Sequence, residues 1–62
     1  MKHVTIFFSS GNCTTIMAQD VKVYLNAVAI TRDGRTKRYK YNSYCITKVI
    51  IDGTIAWEGN NV

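Results

Sequence analysis

Hydrophobic and polar residues alternate along most of this 62-residue chain, and the alternation predicts β-strands. In residues 4–9 every second residue is apolar, which places Val4, Ile6 and Phe8 on one face. Residues 21–26 repeat the pattern, with an apolar face made of Val21, Val23 and Leu25. β-branched and aromatic residues predict further strands over residues 13–17, 28–32, 35–41, 46–51 and 54–58. Of these, the segment apolar on both faces, 46–51, is expected to be central.

Two Asp-Gly pairs give the strongest turn signals in the chain. Asp33-Gly34 and Asp52-Gly53 each stand between two predicted strands, and Asp-Gly readily adopts the positive φ angles of a two-residue hairpin turn. A helix over residues 16–27 is the alternative, but a carboxylate interrupts its apolar stripe. We therefore predict an all-β fold, a single β domain over residues 1–62. It is a small antiparallel meander of roughly five to seven strands, either a curled sheet or an SH3-like barrel, and residues 59–62 are expected to fray.

The short length of the chain predicts that part of its apolar surface is covered by a second copy. A chain of this size buries only about 60% of its unfolded surface, yet 47% of its residues are hydrophobic. Phe7 and Tyr24 lie opposite the apolar faces of their strands, and Trp57 lies near the C-terminus. Aromatic residues in such positions are typical of interface anchors. These three residues are therefore interface candidates in an expected homodimer, although a small sandwich covering both faces is an equal alternative.

The segment RTKRYKYNSY, residues 35–44, raises the question of nucleic-acid binding. It holds four of the eight cations and three of the four tyrosines of a chain with net charge +4. Strand alternation places Tyr39 and Tyr41 on the face expected to point inward, whereas Arg38 and Lys40 point outward. A stacking platform requires aromatic rings and cations on the same solvent side. Two interpretations therefore remain: an ordinary strand with a solvated outer face, and a strand that binds a partner.

In the functional interpretation a basic strand contacts phosphates or an acidic protein surface. The candidate partner- or nucleic-acid-binding residues are Arg35, Lys37, Arg38 and Lys40. Two further lysines on neighbouring strands are candidates to enlarge this surface, Lys22 and Lys48.

Candidate catalytic and metal-binding residues are few, and we expect a protein that is not an enzyme and has no cofactor. Two of the four carboxylates belong to the Asp-Gly turns, and His3, the single histidine, is near the chain start. One histidine and two distant cysteines lack the spacing of a zinc site. Cys13 and Cys45 are expected to be free and partly buried. No apolar run is long enough for a signal peptide or a membrane span, so a cytoplasmic location is expected.

The layout VTIFFSSGNCTTIMAQDVKVY followed by AITRDGRTKRYKYNSYCITKVIIDG resembles short β-rich accessory proteins of phages and prophages of Gram-positive bacteria. The strand layout is also similar to that of SH3-like and Sm-like small barrels. The phage resemblance implies a protein that acts in the host cytoplasm by binding and inhibiting a host protein or a defence complex. Direct nucleic-acid binding through the basic strand is the second hypothesis. A structural subunit that assembles through its sheet edges is the third.

Overall fold

The computed structural model describes residues 1–59 and consists of two antiparallel sheets. Its strands, in chain order, are β1 (Lys2–Phe8), β2 (Cys13–Ala18), β3 (Asp20–Val23), β4 (Ala27–Arg32), β5 (Arg35–Lys40), β6 (Ile46–Ile51) and β7 (Thr54–Glu58). The four-stranded sheet has the order β2-β1-β6-β7, and the three-stranded sheet has the order β3-β4-β5. The all-β prediction is therefore confirmed, as is the central position of β6. The two sheets are not closed into a barrel, and β1 lies beside β6 in the four-stranded sheet, so the structure confirms neither the single meander nor the SH3-like barrel.

Both Asp-Gly pairs form the two-residue hairpin turns that the sequence predicts. Asp33 and Gly34 have φ angles of 51° and 74°, and the flanking residues Arg32 and Arg35 are direct cross-strand partners. The Asp52-Gly53 turn repeats these positive angles between β6 and β7. Two consecutive positive φ angles give the turn the twist that matches the flanking strands. The turns thereby fix the register of both hairpins.

One hydrophobic core lies between the sheets and receives side chains from both. Val4 and Ile6 of β1 are almost fully buried, while Thr5 and Phe7, which alternate with them, point to the other face. The three-stranded sheet contributes Val28 and Ile30 to the same core. The other buried members of this cluster are Ala18, Tyr41, Ile46 and Val49. Since neither sheet is wide enough to bury an apolar face alone, each covers the other.

Gln19 marks the point where the chain leaves one sheet and enters the other. It is the single residue between β2 and β3. Its backbone N–H donates to the Thr31 carbonyl at 2.8 Å, and its side-chain Oε1 accepts a hydrogen bond from the Gly34 N–H at 3.0 Å. The corner between the sheets is thus tied directly to the far turn of the β4–β5 hairpin.

A β-bulge in β7 determines which face Trp57 occupies. Val49 pairs with Trp57 and Ile50 pairs with Ile55, so Ala56 is the extra residue. Strict alternation would place Ile55 and Trp57 on one face, but the bulge separates them. Trp57 consequently points to the core, where its ring stacks on Tyr41 with centroids 3.7 Å apart, and Ile55 is 53% exposed on the outside.

Three sequence-based expectations need correction. The predicted strand over residues 21–26 ends at Val23, and Leu25 is 96% exposed instead of facing inward, because the chain turns there into β4. Cys13 and Cys45 are free as expected, but both are exposed and not partly buried. Gly59 does not fray, since its N–H donates to the Thr47 carbonyl at 2.8 Å. The rest of the segment expected to fray lies outside the described residues.

Candidate functional site

The formal charge of the chain is concentrated on the three-stranded sheet, which we call the basic sheet (β3, β4 and β5). Residues 20–40 hold six of the eight Lys and Arg residues and two of the four carboxylates, while the rest of the chain holds two of each. This segment therefore accounts for the whole formal charge of +4. Within residues 1–59, the ion pair present is Lys48–Glu58 at 3.8 Å on the other sheet, and none of the six cations is paired. Clustered, unpaired cations create a positive potential that attracts anionic partners.

The inner side of the basic sheet carries an open groove beyond the edge of the core. Its volume is about 670 Å³, and its lining includes Thr36 and the Asp33 carboxylate, which offsets part of the positive charge. The other five lining residues are Ile30, Arg32, Arg35, Lys37 and Tyr39. The groove exists because the four-stranded sheet covers Val28 and Ile30 but leaves the end of the hairpin uncovered, where the three cations are exposed. We call these five residues the inner groove.

Within the inner groove a cation and an aromatic ring are in contact. The Lys37 Nζ lies 5.1 Å from the centroid of the Tyr39 ring, and Tyr39 is half-buried. The Tyr44 ring is in T-shaped contact with the Tyr39 ring, with centroids 5.2 Å apart. The ring is therefore fixed in orientation while one part of its surface remains open to the groove. A fixed aromatic ring beside unpaired cations is an arrangement suited to stacking a base next to a bound phosphate.

The outer side of the basic sheet has a second grouping of this kind, which we call the outer cluster: Lys22, Tyr24, Arg38 and Lys40. Lys22 and Arg38 are both paired with Ala29 across β4, and the small side chain between them leaves a shallow depression of about 470 Å³. The guanidinium carbon of Arg38 lies 5.0 Å from the centroid of the Tyr24 ring. Lys40 is exposed at the end of β5. The carboxylate of Asp20 lines the same depression and offsets part of its charge.

The four predicted binding residues therefore divide between the two faces. Arg35 and Lys37 lie in the inner groove, and Arg38 and Lys40 lie in the outer cluster, as strand alternation predicts. Tyr41 is buried, as expected, but Tyr39 is only half-buried. The expectation that alternation separates Tyr39 and Tyr41 from Arg38 and Lys40 agrees with the strand pairing, but each face still brings a ring and a cation together. Tyr39 shares its face with Lys37, and Arg38 is matched on the other face by Tyr24, which a neighbouring strand supplies.

The two lysines considered as extensions of the surface have different positions. Lys22 belongs to the outer cluster. Lys48 lies on the four-stranded sheet, where its Nζ is 3.8 Å from Glu58 and 5.4 Å from the centroid of the Phe7 ring. Because β6 belongs to the four-stranded sheet, the structure does not group Lys48 with the cations of the basic sheet.

The three interface candidates are not brought together. Phe7 lies on the outer face of the four-stranded sheet, beside Lys48. Tyr24 lies on the outer side of the basic sheet, and Trp57 points into the core against Tyr41. No single surface of the described residues therefore contains all three. The expected homodimer remains a prediction, and its best-placed anchors are those on the face of Phe7, where Met17 and Ile55 are about half-exposed.

Sequence reasoning missed one residue of the site, Arg32, and gave Leu25 the wrong exposure. Arg32 lies in the inner groove directly across from Arg35. The two-residue turn was itself the signal, because the residues that flank such a turn are opposite each other and share a face. Leu25 was expected to face inward because the alternation of residues 21–26 continues past the real end of β3. Asn26-Ala27 gave a signal for a bend, but the strand ends earlier, at Val23.

Tyr41 has the one pKa shift resolved among the described residues. Burial raises the pKa of its hydroxyl above the usual value, because the charged phenolate would be poorly solvated there. The hydroxyl donates a hydrogen bond to the Tyr24 carbonyl at 2.9 Å. The neutral form is therefore the one that supports the turn between β3 and β4.

Comparisons with known protein families, curated proteins and solved structures found no match for this chain. Among residues 1–59, no helix has the length and apolar character to cross a membrane. The same residues contain no group of three or more His, Cys, Asp or Glu side chains positioned to hold a metal ion.

Proposed function

We propose that this chain is a non-enzymatic binding protein whose basic sheet binds nucleic acid, either free or within a host protein–nucleic-acid complex. One observation carries the proposal: the whole formal charge lies on one sheet, and unpaired cations stand beside aromatic rings on both of its faces. An acidic protein surface would need only the cations. The rings add a preference for a partner that has flat apolar groups next to its negative charges.

Single-stranded nucleic acid fits this combination better than a duplex. Its bases are free to stack on aromatic side chains, while a positive groove follows the phosphates. The inner groove supplies both features over a short length, with Arg32, Arg35 and Lys37 around Tyr39. Reading a duplex by sequence instead requires an element that enters the major groove. Binding through phosphates and stacking has little base specificity, which suits a small protein that acts stoichiometrically.

Salt dependence of binding tests the electrostatic part of this proposal. For single strands, the logarithm of the association constant falls with the logarithm of salt concentration by about 0.7 per phosphate contacted. If all six cations of the basic sheet engage phosphates, the slope is about −4. Fluorescence anisotropy of a labelled oligothymidine, titrated at several salt concentrations, measures this slope directly.

Two matched double variants localise the binding surface. Arg35→Gln with Lys37→Gln removes two cations from the inner groove and should reduce the slope by about 1.4. Lys2→Gln with Lys48→Gln removes the same charge from the four-stranded sheet and should leave the slope within about 0.3 of the original. All four side chains are exposed or half-exposed, so both variants should retain the circular dichroism spectrum of the parent. Equal losses in the two variants would show attraction by net charge alone and contradict a defined site.

Inhibition of a host protein or defence complex, which the phage resemblance implies, remains a prediction about the larger complex. A pull-down from host lysate with and without nuclease tests it. Capture of a host protein that nuclease treatment abolishes fits binding through nucleic acid. If a host protein is still captured after nuclease treatment, and the Arg35→Gln, Lys37→Gln variant captures it equally well, the role proposed for the inner groove is contradicted.

A further inference from the structure

The turn between β3 and β4 exposes three consecutive apolar residues that neither the core nor the inner groove uses. Val23 is 38% exposed, Tyr24 is 40% exposed and Leu25 is 96% exposed. We call these three residues the apolar tip. Val23 ends β3 and faces the inner side with its partner Val28, whereas Tyr24 and Leu25 follow it in the turn. One exposed leucine is ordinary on a protein surface, but an exposed leucine directly after an exposed tyrosine enlarges the apolar surface, and such surfaces mark interaction sites.

Several hydrogen bonds stabilise the turn that carries the apolar tip. The Tyr24 N–H donates to the Ala27 carbonyl at 2.7 Å, which closes the turn. Tyr41 donates twice, from its hydroxyl to the Tyr24 carbonyl at 2.9 Å and from its backbone N–H to the Asn26 carbonyl at 3.1 Å. The Tyr41 ring is itself stacked on Trp57 in the core. Leu25 is therefore presented on a turn connected to the most buried part of the molecule, which limits the entropy lost when a partner binds it.

Cations surround the apolar tip on its outer side. Lys22 precedes it on β3, Arg38 lies over the Tyr24 ring, and Lys40 is at the adjoining end of β5. Asp20, the nearest carboxylate along the chain, is two residues further back than Lys22. This charge pattern selects a partner whose apolar groups are flanked by negative charges. A second copy of this chain is not a suitable partner for the apolar tip, because its own tip would bring Lys22, Arg38 and Lys40 against the same three cations of the first copy.

We propose that the apolar tip binds the bases of the nucleic-acid strand, with Tyr24 stacked on one base and Leu25 packed against the next. The inference rests on the proposed function, since the same strand would run across the basic sheet. Apolar side chains commonly separate adjacent bases in nucleic-acid complexes, and a single strand costs less to unstack than a duplex. The cations of the outer cluster would hold the phosphates on either side of those bases. The tip therefore adds base contacts to the one proposed for Tyr39 in the inner groove.

A comparison of two strands of equal charge tests this inference separately from the proposed function. The probes are an oligothymidine of about 12 nucleotides and a strand of the same length built from abasic tetrahydrofuran units. The parent protein should bind the strand with bases at least about fivefold more tightly, because one stacked base contributes that much or more. Leu25→Ala should lose part of this preference, because Tyr39 of the inner groove is unchanged, and should keep its affinity for the abasic strand. Ile55→Ala removes a similarly exposed aliphatic side chain from the other sheet and should keep both.

Each outcome of this experiment decides one of the two proposals. If the parent binds both strands equally with a steep salt dependence, neither the tip nor Tyr39 contacts bases, and of the proposed function only the electrostatic binding to phosphates stands. A folded Leu25→Ala variant that loses both affinities together, or keeps the full preference for bases, also overturns the tip proposal. If the parent binds neither strand but binds vesicles containing anionic lipid, and Leu25→Ala abolishes that binding, the tip is a membrane contact and both proposals fail.

Discussion

Replacing Tyr41 with phenylalanine should lower the free energy of unfolding by about 1 kcal/mol. The substitution removes one hydroxyl, whose hydrogen bond to the Tyr24 carbonyl is part-buried, and a bond of this kind contributes about 0.5–1.5 kcal/mol. The ring, its stacking on Trp57 and its burial are retained. For a domain of this size, the change corresponds to a fall in Tm of about 4–8 °C.

Truncation of the same residue to alanine should be far more damaging. Tyr41 is only 4% exposed, and loss of a buried aromatic ring costs about 3–5 kcal/mol. A chain of this length has a total stability of about 3–9 kcal/mol, so Tyr41→Ala should leave a large unfolded fraction at room temperature. The cost is high because this ring fills the space between Trp57 and the turn that carries Leu25.

Thermal and urea unfolding followed by circular dichroism measure both effects. Tyr44 provides the matched control, because it is 42% exposed and packs against Tyr39 by its edge alone. Tyr44→Phe should unfold within about 2 °C of the parent, and Tyr44→Ala should cost well under half as much as Tyr41→Ala. A Tyr41→Ala variant that is as stable as Tyr44→Ala would refute the reasoning about this core. A Tyr41→Phe variant equal to the parent would refute the contribution of the hydrogen bond.

Three further predictions follow from the same structure. Burial raises the pKa of the Tyr41 hydroxyl in the folded state. The neutral hydroxyl therefore contributes fully to stability below the unfolded pKa of about 10, and this contribution is lost as the pH rises towards the folded pKa. Above about pH 10 the free energy of unfolding of the parent should fall more steeply with pH than that of Tyr41→Phe. Both exposed cysteines, Cys13 and Cys45, should react with iodoacetamide without denaturant, and intact mass should show two adducts; none would indicate a disulfide. Sedimentation equilibrium at micromolar concentration should give a dimer that Ile55→Lys dissociates, whereas a 7.0 kDa monomer throughout the range would contradict the expected homodimer.

Local sequence determined most of the secondary structure of this protein. Period-two alternation and two Asp-Gly turns are properties of adjacent residues, so the strands β6 and β7 and the hairpin turns could be predicted with no knowledge of the rest of the chain. The same alternation correctly divided Arg35 and Lys37 from Arg38 and Lys40. It also predicted correctly that Tyr41 is buried.

Features that depend on distant residues could not be predicted in this way. The boundary between the sheets at Gln19 follows from hydrogen bonds to Thr31 and Gly34, which lie more than ten residues away. The inward position of Trp57 follows from a bulge that appears only when β7 is aligned with β6. In both cases the deciding contact joins segments that the sequence lists far apart, so no local pattern contains it.

The candidate site shows this division most clearly. The sequence by itself determined that residues 35–44 are basic and aromatic, and it concentrated the charge of the chain in residues 20–40. Only the tertiary structure decided that the four-stranded sheet ends short of the β4–β5 hairpin, which leaves Tyr39 open beside Lys37 instead of closing it into the core. It likewise placed Tyr24 from one strand under Arg38 from another. The physical reason is that a side chain's direction is set by its own strand, whereas its exposure is set by what the other sheet covers.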